Sequence, residues 1–355
     1  MGDLKTYKDS VGNATVSLPT ISPSAYGNQS FYTPESHYQS IIDVAFFLNK
    51  YYLWVVFAIG FPGNLSTIIT IVRMRSLGSF TLYVVVLAVM DNLAISLKLL
   101  FYQIFENKVN MGTSGCRTFH FFGNFMVSYA NWVLVIMAVE RLLAVKYPLK
   151  IQKLMNCRRS IVALSIVGSV IAGIYLPILW TAYYNETHQA CDFDNSSPRL
   201  LSFLQWANVS MSAFIPFSVL TVCNLLIVRV IRESFRVRNA LRSMQPAVGL
   251  KHKSSFYKYD ISVQRQVTIM LFTTTLVFVL LMFPLCAFKV ADTHWKVEAL
   301  SNEYAAKYLV YQLSYILCDS THAINFYLYF LSARKFRNHF LAMSSCATPT
   351  RATSV

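Results

Sequence analysis

Hydrophobic and polar positions along this chain fall into long blocks, not the short periods of a water-soluble domain. Seven runs are apolar or nearly so: 51–72, 80–105, 119–139, 161–180, 200–228, 267–288 and 308–331. About 20 residues at 1.5 Å rise suffice to cross hydrocarbon roughly 30 Å thick. Each run must be a helix, because lipid leaves free backbone N–H and C=O groups without partners. The pattern therefore predicts an all-α membrane protein, a bundle of seven transmembrane helices. An odd number of crossings places the two termini on opposite sides. Charge enters the runs at few places: Asp91 and Lys98 in the second, Asp319 (with His322) in the seventh.

Composition agrees: 55% of the residues are hydrophobic and only 13% charged, which excludes a pair of ordinary soluble domains. A formal net charge of +15 suggests nucleic acid until its distribution is followed. Arg73, Arg75, Lys146, Lys150, Arg158 and Arg159 flank the first two connections on one side. Arg229 through Arg265 gather around the third, and Arg334, Lys335 and Arg337 follow the seventh run. The opposite side mixes lysines with Glu106, Glu186, Asp192, Asp194 and Asp292 and carries little net charge. Positive charge stays inside, so the N-terminus is expected outside and the C-terminus in the cytoplasm. The basic loops then face lipid headgroups and protein partners, not nucleic acid.

Glycosylation sequons fall on the side assigned outside, at Asn13, Asn28, Asn185 and Asn195. Two further sequons, at Asn64 and Asn208, lie within apolar runs, out of reach of the enzyme. Residues 1–43 are polar and rich in Ser, Thr, Tyr and Pro, and read as a flexible outer tail. That tail has no apolar signal core, so the first run directs its own insertion. A myristoylation pattern at Met1-Gly2 conflicts with an outer N-terminus. Of seven cysteines, Cys116 and Cys191 alone are in outward-facing positions, where a disulfide would tie the long outer loop to the third helix. As a helix, 116–141 spans roughly 37 Å, so Glu140 and Arg141 sit at the membrane border opposite that cysteine. Cys346, beyond a basic amphipathic segment, is a palmitoylation candidate.

Several residues, taken in order and spacing, resemble the rhodopsin-like G-protein-coupled receptors. They are Gly63-Asn64, Leu87-Ala88 with Asp91, Cys116 with Cys191, Glu140-Arg141 with Ala144-Val145 and Pro148-Leu149, Pro216, Phe278 with Pro284, and Asn325 with Tyr329. The resemblance covers about 51–340 and implies a receptor, not an enzyme, with residues 44–332 as its membrane domain. It implies that Arg141, restrained by Glu140, faces a heterotrimeric G protein when the bundle opens, and that Pro148 and Leu149 complete the coupling surface. It implies an activation relay through Asp91, Pro216, Phe278, Met282, Pro284, Asn325 and Tyr329, with a hydrated cluster at Asp91 that in the family can hold sodium. Arrestin is a further partner implied in the cytoplasm.

The chain departs from the family at many of these places. Ala130, Thr321 and His322 replace the small hydroxyl set around Asp91. Met282 replaces the family's tryptophan before Pro284, Asn131 an apolar residue, Asn224 a tyrosine and Phe326 the proline after Asn325. Gln264 and Arg265 stand where relatives carry an acid that restrains the arginine, so ligand-independent signalling is expected.

Ligand class is narrowed by exclusion. The amine-anchoring acid of the family is Gly123 here, and the retinal lysine is Asp319. What remains is an outer cavity of aromatics, Tyr102, Phe119, Phe122, Phe288, Tyr308, Tyr311 and Tyr315, with Gln312 and the intramembrane charges. Lys98 lies two turns outward of Asp91 and Asp319 nearly two turns outward of Asn325, and the resemblance makes the second and seventh helices neighbours. The two are expected to pair on the cavity floor, the alternative being a snorkelling Lys98 with a separately hydrated Asp319. The reading is a plasma-membrane receptor for an extracellular peptide, a neuropeptide by preference. The rival is a chemosensory receptor for small molecules; a transporter or channel is more distant, lacking the paired broken helices. No cofactor is called for. Residues 333–342 alternate basic and apolar side chains as a short amphipathic eighth helix lying on the membrane does, with Phe336 and Phe340 in lipid. The terminal Thr353-Ser354-Val355 fits a PDZ-domain ligand.

Overall fold

A computed structural model describes residues 34–74, 78–147, 156–187, 190–194, 196–244, 255–292, 294–297 and 301–344. Asn13, Asn28, Pro148, Leu149, Asn195, Cys346 and the three terminal residues lie outside this set, as do the side chains of Gln264 and Arg265.

The chain is a helical bundle. Its elements are α1 (Pro34–Arg73), α2 (Ser79–Glu106), α3 (Gly112–Lys146), α4 (Cys157–Tyr175) and the short α5 (Ile178–Thr181). A hairpin of β1 (Ala182–Asn185) and β2 (Ala190–Phe193) follows, then α6 (Pro198–Val209), a π-helical turn (Ser210–Phe214) and α7 (Ile215–Met244). The remainder is α8 (Ser255–Asp292), α9 (Asn302–Ser320), α10 (Asn325–Ser332) and α11 (Arg334–Ser344). Among the described residues, six helices are long and apolar enough to cross a membrane. They correspond to the first six apolar runs. The seventh run is two shorter helices in series, α9 and α10.

That break has a local cause. At Thr321, His322 and Ala323 the backbone N–H groups bond three residues back, to Cys318, Asp319 and Ser320, in place of four. The tighter turn ends α9 without a proline, so the missing family proline at Phe326 does not remove the bend. Phe326 instead packs its ring against Phe330, Phe336 and Phe340, fastening α10 to α11; Phe336, expected in lipid, is 4% exposed and turned into the bundle core against Tyr329.

Other boundaries move relative to the expectation. α1 starts inside the polar tail expected over 1–43. One face of this overhang is apolar, and Ile42 and Ala45 are buried against Phe288, Ala305 and Tyr308. The basic connection expected over 233–264 is largely the ends of α7 and α8. The outer connection holds a hairpin that no alternation in its sequence announced, with Tyr184 opposite Cys191. Cys191 is bonded to Cys116 at the start of α3. Arg117 Nε donates to the Ala182 carbonyl at 3.1 Å and Thr113 Oγ1 accepts from the Tyr184 N–H at 3.3 Å, so three contacts seat the hairpin on α3.

α3 is the central rod, with Ala130, Val133, Leu134, Met137 and Ala138 all buried. It also repairs a defect in its neighbour. Pro216 has no N–H to offer the Ser212 carbonyl four residues earlier, and the adjoining π turn displaces the normal ladder. Asn131 Nδ2 donates to the Ser212 carbonyl at 2.7 Å, and Trp132 Nε1 to the Met211 carbonyl at 3.0 Å. Two adjacent side chains of α3 thus replace ladder bonds that α7 cannot make. Asn131→Leu should strand a buried carbonyl at a cost of roughly 1–3 kcal/mol. The expected result is an apparent melting temperature several degrees lower in the purified protein, with Trp132→Phe behaving alike; an unchanged melting temperature in both would show that water or relaxation satisfies these carbonyls.

Candidate functional site

At the end of the bundle that carries the disulfide, α1, α2, α3 and α9 enclose a cavity of about 280 Å³. Tyr102, Tyr308, Tyr311, Gln312 and Tyr315 line it, together with Lys98. A deeper compartment of about 110 Å³ adjoins it and is lined by Lys98, Phe119, Gly123, Tyr315 and Asp319. A third, of about 270 Å³, lies toward α6 and α8 and takes in Lys289 and Phe193 of the hairpin. Tyr315 borders all three.

Two expected lining residues are placed elsewhere. Phe122 is 41% exposed on the outer surface of α3, its ring edge-on to Phe121. Phe119, three residues before it, lines the deeper compartment. Phe288 is buried behind the wall, 5.5 Å between ring centroids from Tyr311, and supports that ring without reaching the space. Four residues that sequence reasoning passed over do line the cavities: Tyr52, His120, Asn124 and Lys289. His120 is 4% exposed, stands between the rings of Phe101 and Phe193 at 5.1 Å each, and leaves Nε2 without a hydrogen-bond partner. An imidazole near the outer end of an apolar run was the available signal.

The floor is electrostatic. Lys98 Nζ lies 2.5 Å from Asp319 Oδ2, and the Tyr52 hydroxyl donates to the same oxygen at 3.1 Å. The Lys98 ammonium also stands 5.6 Å from the Tyr315 ring, while Lys289 approaches the Tyr311 and Tyr315 rings at 5.5 and 5.7 Å. Tyr315 therefore sits between two cations, whose attraction to its face holds the ring in place. Gln312, 1% exposed, donates to Asn49 at 2.6 Å and closes the side toward α1. Outside the bundle, Asp194 accepts from the N–H and hydroxyl of Ser196, which holds its carboxyl below the usual carboxylate range. Asn185 donates to Asp192 at 3.3 Å across the hairpin.

Below the floor, Asp91 is fully enclosed and both its oxygens are engaged, by His322 Nδ1 and Asn325 Nδ2 at 2.7 Å each. This donor set does not suit the sodium that the family resemblance implies: a hard cation needs oxygen ligands, and both carboxylate oxygens here face nitrogen. Further along, Met282 is wholly buried and its sulfur accepts from the Cys318 thiol at 3.5 Å, joining α8 to α9 below Tyr315. Phe278 is 2% exposed in the core, and Pro284 lies within α8. The Thr275 hydroxyl donates to Asn224 Oδ1 at 2.7 Å, joining α8 to α7. Tyr329 is buried with its ring edge-on to Phe336.

At the opposite end of the bundle, Arg141 is 8% exposed, with Nη2 3.5 Å from Glu140 Oε1 and its guanidinium carbon 5.0 Å from the centre of the Phe80 ring. The aromatic contact was not foreseen, since Phe80 reads only as the first apolar residue of its run. The geometry thus comprises an aromatic cavity at one end, a buried guanidinium at the other, and a chain of paired polar residues between them.

A helical bundle with these two ends is the architecture of a membrane receptor. Residues 63–329 match the family model described as 7 transmembrane receptor (rhodopsin family), which is well over half of the sequence. The chain belongs to that family and is a multi-pass membrane protein. It is also similar to galanin receptor 2b of Danio rerio, 23% identical over 302 residues that cover 82% of this chain and 73% of the relative.

Lys98 and Asp319 can be tested together. Removing one partner of a buried ion pair costs roughly 3–5 kcal/mol, toward the lower end where one side chain is partly exposed. Lys98→Asp and Asp319→Lys should each lower cell-surface expression sharply, and the two combined should restore it. Absence of rescue would mean that each charge is held by its own surroundings.

Proposed function

We propose that this protein is a plasma-membrane receptor for an extracellular peptide and that it activates heterotrimeric G proteins. The observation that carries the proposal is the aromatic cavity with a charged floor, Lys98 with Asp319, at the disulfide end. In this reading the disulfide end faces outside, as the distribution of basic residues indicates, and α9 with α10 makes the seventh crossing. α11, with Phe336 and Phe340 on its apolar face, lies on the cytoplasmic membrane surface. Cys346 carries palmitate there, and the terminal Thr353-Ser354-Val355 is offered to a PDZ domain. Glycans attach at Asn13, Asn28, Asn185 and Asn195.

The similarity to a galanin receptor supports a peptide, and a neuropeptide in particular. A small-molecule chemosensory role is the second reading, favoured by compartments each below the roughly 300 Å³ at which ordinary ligand pockets begin. A peptide-library screen in transfected cells, reading calcium and cyclic AMP, separates the two. A peptide agonist supports the first reading, and response only to small volatile or polar compounds supports the second.

Binding would shift an equilibrium between resting and open bundles. Ligand contact at Tyr315 is passed to Met282 and Phe278 on α8, which bends at Pro284. Pro216, Asp91, Asn325 and Tyr329 complete the relay. Opening frees Arg141 from Glu140 and Phe80 to meet the G protein, with Pro148 and Leu149 beside it; arrestin would compete for the same face.

Expected outcomes follow from the resting contacts of Arg141. Basal signalling should exceed that of mock-transfected cells. A cation–π contact of about 1 kcal/mol, removed in Phe80→Leu, should raise the basal signal about fivefold. Arg141→Ala should abolish signalling while surface expression persists. A basal level equal to mock cells in both the parent and Phe80→Leu would contradict this account of the resting state.

A further inference from the structure

The cluster around Asp91 differs from a cation site in a way that makes its own prediction. Asp91 has no exposed surface, so its carboxylate must find every partner within the bundle. One oxygen faces the imidazole Nδ1 of His322 at 2.7 Å and the other the Asn325 amide at 2.7 Å. The ring is 4% exposed and fixed from behind, since Asn64 Nδ2 donates to the His322 backbone carbonyl at 3.0 Å. Ala130, on the facing helix α3, is fully buried and contributes only a methyl group. The Thr321 hydroxyl is committed to the Cys318 carbonyl at 2.6 Å. An ion entering here would have to displace the imidazole and the amide that already engage both oxygens of Asp91.

We propose that His322 is the built-in counter-group of Asp91, occupying the place of a sodium ion, so that the resting state of this receptor is indifferent to sodium. The imidazole N–H supplies the carboxylate with the hydrogen bond that a hydrated cation would otherwise provide through its charge. It is tethered to the turn between α9 and α10, so it cannot exchange with the medium. Asp91 is then joined permanently to the broken seventh segment through two side chains, His322 and Asn325, in place of a removable ion.

The test uses the purified full chain in lipid nanodiscs. Melting temperatures are compared in sodium chloride and N-methylglucamine chloride at equal ionic strength. A ligand that binds only the native state raises the melting temperature saturably, so the readout needs neither an agonist nor a G protein. The parent protein should melt at the same temperature in both salts. Ala130→Ser combined with His322→Ser opens space and adds two hydroxyls, and should gain a saturable stabilisation by sodium that Asp91→Asn then removes. A saturable sodium shift in the parent would overturn the proposal. So would a folded double variant as indifferent to sodium as the parent. If the double variant fails to fold, His322→Ser alone takes its place with the same two outcomes, and the parent's own response still decides. Because melting is read directly, failure of this inference is distinct from failure of the peptide-receptor reading, which the agonist screen judges.

Discussion

Within hydrocarbon, a polar group that finds no partner in the chain finds none at all, and this structure is organised by that requirement. The helices satisfy the backbone nearly everywhere. Where the ladder fails, at Pro216 and its π turn, α3 supplies Asn131 and Trp132 to the exposed carbonyls. Where side chains are charged, they are answered across the bundle: Lys98 by Asp319, and Asp91 by His322 and Asn325. Each answer joins two helices, so satisfying polar groups also fixes how the helices lie against one another.

The same requirement explains why family departures occur in sets. Read singly, Asn131, Asn224, Met282, His322 and Phe326 look like losses from an activation relay. In three dimensions each has acquired a partner: the Ser212 carbonyl, Thr275, Cys318, Asp91 and the rings around Phe336. A polar residue introduced alone into a buried helix contact is costly, while a matched pair is tolerated. At these positions the bundle is therefore joined by chemistry other than the family's.

Much of the fold was legible because the membrane imposes a simple code of length and hydropathy. The first six crossings follow from length and hydropathy, and the meeting of Lys98 with Asp319 from helical rise together with the family resemblance, while the break in the seventh run was not foreseen. What could not be read was rotation and local irregularity. Phe122 and Phe119 are equally aromatic, and only the packing of α3 decides that one faces outward. The hairpin around Cys191 has no alternating pattern, because it is held by a disulfide and by Arg117 and Thr113, not by a buried face of its own. The overhang of α1 was hidden by polar residues on its exposed side. Phe80 was invisible as a partner of Arg141, since an aromatic at the edge of an apolar run is ordinary there.

The contact between α1 and the seventh segment is both close and repeatedly hydrogen-bonded. Gly60 lets the two backbones approach so closely that a methyl group there would lie 2.9 Å from Ala323 Cα. Around it, Asn49 meets Gln312, Tyr52 meets Asp319, Asn64 holds the His322 carbonyl and Tyr327 donates to the Ile59 carbonyl. These ties join the middle of α1 to the latter half of α9, the turn after it and α10. The seam between α7 and α8 has a lighter polar stitch at Asn224 and Thr275. The close approach at Gly60, by contrast, is flanked on both sides by side-chain hydrogen bonds that lock α1 to the seventh segment.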